Sequence, residues 1–136
     1  MRTERDVEAY LLHQGRPFEK SEDVPPGSGT TFLLRPRGGH PPVAIRVDAP
    51  IVLVRTEMGR VPSDTAQQAA FFRQLLEWNA SSLVHASYGI DNNRIILSSA
   101  LELENLDLNE LVAALDEVEL VLTQHAPAFA KAAQTT

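Results

Sequence analysis

The chain has 136 residues, a net charge of −6 and no cysteine. That length suits one domain with one core, and the missing cysteine excludes disulfides, thiolate metal sites and a cysteine nucleophile. Hydrophobic residues make up 43% and charged residues 22%, a globular rather than a disordered mix, and even the run Ile51-Val52-Leu53-Val54 is far too short to insert in a bilayer.

Residues 3–14 read as a helix. Thr3 caps it and Asp6 completes a capping-box pattern. Val7, Tyr10 and Leu11 follow at helical spacing, and Gly15-Arg16-Pro17 stops it. The opening MRTERDVEAYLL lacks the long apolar stretch and cleavage site of a signal peptide, so the expected compartment is the cytoplasm. Phe18 to Asp23 reads either as a short strand or as the exit loop. Gly/Pro breaks at 25–29 and 38–42 read as surface loops. Between them Thr31–Arg35 is a predicted strand. Val43, Ile45 and Val47 alternate with Ala44, Arg46 and Asp48, and Ile51–Met58 forms a further strand after Ala49-Pro50. Links this short require an antiparallel meander. Arg35, Arg37, Arg46, Arg55 and Arg60 fall in this region and read as charges that protect edge strands from aggregation.

Asp64 caps the next predicted helix, with Gln67 at the matching position. Ala69, Phe72, Leu76 and Asn79 share one face, and Phe71, Leu75 and Trp78 the adjoining one. A helix this apolar around its girth is expected to be buried on two sides. Two alternating runs then flank Asn92-Asn93, whose residues tolerate positive φ, which predicts a type I′ hairpin. The register sets Ile90 opposite Ile95, Tyr88 opposite Leu97 and Val84 opposite Leu101, all on one buried face. A calcium loop starting at Asp91 is excluded, because Arg94 and an apolar strand follow at once. Asp107 and Glu110 open the last helix, whose core stripe is Leu108, Leu111, Val112, Leu115, Val118 and Leu122. Pro127 is expected to end or kink it, which leaves one domain over 1–129 and a frayed tail over 130–136.

The predicted order is α-β-β-β-α-β-β-α. Its simplest packing is one antiparallel sheet with helices against it, an α+β fold. Residues 61–136 hold three Lys/Arg and ten Asp/Glu, and such an acidic half argues against nucleic acid as a partner. His13, His40, His85 and His125 lie in different elements and read as isolated surface or rim residues, so no metal or other cofactor is expected. Catalytic motifs such as H-E-x-x-H and G-x-S-x-G are missing, and the expectation is a non-enzyme. The rival reading is a small-ligand protein or enzyme that uses His40, His85 or Asp91. Apolar side chains exceed what three helices can cover: the 51–54 run points to both sheet faces, Ile96 and Ala100 add to the outer one, and Phe71 and Trp78 sit on the second helix face. A monomer rarely exposes such a patch, so the expectation is an interface, most simply a homodimer.

Four stretches carry a family resemblance: Leu75-Leu76-Glu77-Trp78-Asn79, Tyr88-Gly89-Ile90-Asp91, Ile95-Ile96-Leu97, and Leu101 to Asp107. Together they resemble the type III secretion chaperone-like fold, which includes the CesT/Tir chaperones and the YbjN family. The shared pattern is a helix ending in Leu-Leu-x-x-Asn, a Gly-Ile/Leu-Asp strand end, a hairpin and a leucine-rich step into the last helix. It covers residues 72–125, while the first 60 residues match in element order alone and carry the added Gly/Pro loops. The resemblance implies a non-enzymatic, cytoplasmic, dimeric binding protein, with neither nucleic acid nor membrane insertion, that holds an extended segment of an unknown client protein. By resemblance, Phe71, Leu75, Trp78 and Ile96 are dimer candidates, and Leu11, Leu12, Val52 and Val54 are client-binding candidates.

Overall fold

The computed structural model describes residues 2–22, 29–36 and 38–134. In chain order it has α1 (Glu4–His13), β1 (Phe18–Glu22), β2 (Thr30–Leu34), β3 (Val43–Asp48), β4 (Ile51–Arg60), α2 (Thr65–Ser81), β5 (Ser87–Asp91), β6 (Arg94–Glu102) and α3 (Leu108–Gln134). Phe18–Glu22 is thus a strand rather than the exit loop, and the first strand run has four members. The loop expected at 25–29 lies outside the described residues except for Gly29.

The six strands form one antiparallel sheet in the order β1-β2-β3-β4-β6-β5. The α+β class and the meander hold. Local signals set the element ends. Thr3 and Asp6 form a reciprocal capping box at α1, and Asp107 and Glu110 another at α3. The Asp64 carboxylate accepts from the Gln67 N–H at α2. Asn92 and Asn93 both have positive φ, as a type I′ turn requires. Tyr88 faces Leu97 and Ile90 faces Ile95 as expected. Val84 does not pair with Leu101, because β5 starts only at Ser87. Val84 stays exposed in the preceding loop, and Ile90, on an edge strand, is also exposed.

All three helices lie on one side of the sheet. Lys20 shares a sheet face with Phe32, its cross-strand neighbour, and its ammonium reaches Glu8 of α1 at 3.0 Å. Val7 and Leu11 of α1 join Leu111, Leu115, Val118 and Leu122 of α3 in one core with Phe32, Ile45, Val52, Val54 and Leu97. The alternation of strand side chains then leaves Leu33, Ala44, Leu53, Ala100 and Ile96 on the other face. Among the described residues, no helix covers that face.

Two expectations about the ends and edges need correction. α3 runs on past Pro127 to Gln134, so residues 130–134 are helix, not a frayed tail. A proline in a helix removes one N–H, and here Phe129, just beyond it, anchors the last turns against Phe71 and Tyr88. Two of the arginines, Arg46 and Arg55, do not guard an edge. The sheet ends on β1 and β5, whereas Arg46 and Arg55 sit on central strands β3 and β4. There they pair with Asp48 and Asp91. Arg37 lies outside the described residues.

Candidate protein-binding surface and its aromatic support

α2 runs beside the β5 edge and the C-terminal half of α3, and its two apolar stripes have opposite fates. Phe71, Leu75 and Trp78 turn inward. Leu75 is buried in the core. The Phe71 ring meets Phe129 edge-on at 5.1 Å. Trp78 stacks on the His125 imidazole with ring centres 3.7 Å apart and planes 15° apart. These three side chains, expected at a dimer interface, dock α2 onto its own domain, with Leu75 buried and Phe71 and Trp78 half-buried. The outward stripe is Ala69 and Leu76, both exposed, with Phe72 half-buried against the core beside them; together with Arg73 and Glu77 they line a shallow apolar depression. Leu76 is 67% exposed. Arg73 and Glu77 form an i,i+4 ion pair at 2.9 Å along its rim.

His125 is buried, against the expectation of a surface histidine. Its Nδ1 lies 2.6 Å from the Tyr88 hydroxyl. Burial raises the Tyr88 phenol far above its ordinary value, so the phenol keeps its proton, and the imidazole tautomer sets which of the two groups donates. Burial also disfavours the charged imidazole and lowers its pKa below the ordinary 6.5. Trp78, Tyr88, His125 and Phe129 thus join α2, β5 and α3 through one aromatic cluster.

Two polar clamps complete the support. The Asn79 side chain accepts from the Tyr88 N–H at 2.7 Å and donates to the Tyr88 carbonyl at 3.2 Å. It occupies the outer edge of β5, where another strand would otherwise pair. Replacing Asn79 with Ala leaves both groups without these partners, and we expect a loss of about 2 kcal/mol in urea denaturation. Asn79→Asp keeps the acceptor alone and should fall between. The second clamp is Glu117 of α3, whose carboxylate accepts from the backbone N–H groups of Val84, His85 and Ala86. It pins the loop between α2 and β5. Asn79 ends the Leu-Leu-x-x-Asn pattern, whereas Glu117 has no sequence motif, and in both cases the groups meet only after folding.

The client candidates divide. Leu11, Val52 and Val54 are fully buried in the chain's own core, a correction to their expected place at the surface. Their side of α1 and β4 is the one that the helix layer closes. Leu12, next to Leu11, is 64% exposed. On β4 the accessible residues are the alternate ones, Ile51 and Leu53. Ile96 stands on the open face opposite Glu57 and Gly89 but is itself buried. The open face is therefore low and mixed: Leu53 has Arg46 and Ala100 as cross-strand neighbours, and Leu33 has Ala44.

His40, His85 and Asp91 do not converge. His40 follows the Gly38-Gly39 turn after β2, His85 is exposed before β5, and Asp91 ends β5 in an ion pair with Arg55. Among the described residues, no three His, Asp or Glu side chains are grouped to hold a metal. No helix there is long and apolar enough to cross a membrane.

Comparison with known proteins matches the CesT_Tir_1 family model over residues 1–135. One similar solved structure is a chain of the heterodimeric complex ExoU-SpcU from the type III secretion system of Pseudomonas aeruginosa. It shares 22% identity with a TM-score of 0.69, over 89% of this chain and 95% of that one. Another is YbjN from E. coli, described as a putative transcription regulator, at 12% identity and a TM-score of 0.65 over 93% of each chain. No curated protein matches the sequence.

Proposed function

The chain belongs to the CesT_Tir_1 family, and on that premise we propose that it is a non-enzymatic, cytoplasmic, chaperone-like homodimer that holds an extended segment of a client protein. The observation that carries this reading is the one-sided helix layer. It leaves a sheet face with Leu33, Leu53 and Ala100 at its centre and no helix over it among the described residues. Small neighbours such as Ala44, Ser98 and Gly89 keep that face low, so an extended chain can lie across it. Leu12 on α1 adds a second apolar foothold.

The outer stripe of α2 is the proposed dimer surface. Two copies packed antiparallel about a two-fold axis set Phe72 against the second copy's Leu76. The same packing brings Arg73 within reach of the second copy's Glu77, the self-complementarity that an isologous contact needs. Ala69 is small enough to let the helices approach closely. The ExoU-SpcU structure, a complex of a similar chain with another protein, supports protein binding as the role.

Leu53→Glu tests the client surface. A photo-crosslinker placed at residue 53 should capture one protein in cells through one contiguous segment, mapped by peptide mass. Leu53→Glu should remove that segment's binding to purified protein by at least about tenfold, since a carboxylate replaces a buried apolar contact. Crosslinks scattered over unrelated proteins, or undiminished binding by the variant, would overturn the assignment.

A further inference from the structure

We infer that the Trp78–His125–Tyr88 cluster is a proton-sensitive latch that holds α2 against the rest of the fold and loosens it when His125 takes up a proton. The inference does not depend on which surface binds a partner. At the latch the inward face of α2 meets two buried titratable groups, Tyr88 and His125. The imidazole is face-on to Trp78 at 3.7 Å and 2.6 Å from the Tyr88 hydroxyl, and it is 7% exposed. It therefore contacts all three elements that meet there.

Among the described residues no carboxylate pairs with the ring to compensate a positive charge. From β5 the facing group is the Tyr88 phenol, which stays protonated and neutral. From α2 it is the Trp78 ring, while Arg73 and Glu77 lie on the outer face and pair with each other. From α3, Lys131 lines the same α2–α3 groove as Trp78, and a cation there opposes a second one. The Glu117 carboxylate is engaged by the 84–86 backbone. The tryptophan face would favour an imidazolium by about 1–2 kcal/mol, but burying an unpaired charge costs more.

The sign follows. Above pH 6.5 the imidazole is neutral in both folded and unfolded chains. Below 6.5 the unfolded or undocked chain takes a proton that the docked one resists, because burial lowers the docked pKa. The latch is complete above pH 6.5 and is lost as pH falls from there through the lower docked value. One proton sets the limit, about tenfold in the docking equilibrium per pH unit.

Trp78 is the chain's single tryptophan, so its fluorescence reports the latch directly. The experiment follows that fluorescence, and amide exchange corrected for intrinsic rate, from about pH 8 to about pH 5 on the full chain. The expected result is that protection over residues 65–81 falls by up to about tenfold per pH unit below 6.5 while protection over 4–13 holds. His125→Phe keeps a ring in the stack and should abolish the dependence. The triple variant His13→Gln, His40→Gln, His85→Gln should retain it. If His125→Phe does not fold, an NMR titration of His125 in the wild type decides instead. A midpoint below 6.5 supports the latch, and one at or above 6.5 overturns it. Equal loss of protection in α1 and α2, or an unchanged dependence in folded His125→Phe, would also overturn it.

Discussion

Trp78→Ala should lower stability by about 3 kcal/mol, while Leu76→Ala, two positions away on the same helix, should change it by less than about 0.5 kcal/mol. Both are large apolar residues, and a sequence pattern ranks them alike. Leu76 is 67% exposed, whereas Trp78 has ring partners within the chain. It stacks on His125, lies 5.9 Å from the Tyr88 ring, and lines the α2–α3 groove with Phe71 and Ala128. Truncation removes the ring contacts and leaves a hollow that the neighbouring rings fill poorly, which is the dearest kind of core change. For a domain of this size the expected fall in melting temperature is about 10 °C. Thermal and urea denaturation of the two variants side by side give the comparison. Similar losses for both would mean that α2 docks through the other stripe.

Leu76→Glu should do the opposite: keep the fold and weaken self-association by at least about 100-fold, roughly 3 kcal/mol. In the proposed antiparallel pairing Leu76 lies near the two-fold axis, so each dimer would bury two new carboxylates without cations of their own. The existing Arg73 is held by Glu77 of its own helix. Unpaired charge in a desolvated contact is strongly unfavourable. In the monomer the position is 67% exposed, and a charge there is nearly neutral for folding. The readout is sedimentation equilibrium paired with a melting curve. Loss of both association and stability would mean that the variant misfolds; unchanged association would remove the α2 outer stripe from the interface.

These two residues also show where the sequence stops being informative. Capping residues and turn residues act through neighbours three or fewer positions away, so Thr3/Asp6, Asp107/Glu110 and Asn92-Asn93 were legible. The hairpin register followed from alternation and the turn. Choosing a face is different. Phe71-Leu75-Trp78 and Ala69-Phe72-Leu76 have the same helical spacing, and only the position of α3 decides which is inside. The same holds for Val52 and Val54 against Ile51 and Leu53: a four-residue apolar run does not say which side the helices take. With all three helices on one side, Val52 and Val54 became core and Leu53 became surface. Asn79, Glu117 and His125 were not legible as structural residues. Each acts on a partner brought close by folding, nine residues away for Asn79 and 37 for His125. Continuation of α3 through Pro127 depends likewise on Phe129 finding Phe71 and Tyr88.

The family resemblance read from residues 72–125 extends over 1–135. The segment that carried it is the one that builds the α2–β5–α3 corner, where Asn79, Tyr88 and Trp78 interlock. The Leu-Leu-x-x-Asn ending thus has a structural meaning here: Leu75 enters the core, Leu76 faces outward, and Asn79 closes the edge of β5.

The account turns on apolar surface that a single copy leaves open, and the solution mass of the wild-type protein tests it most directly. Sedimentation equilibrium at about micromolar concentration should give twice the 15.0 kDa of one chain. A mass of one chain at every concentration reached would contradict the account.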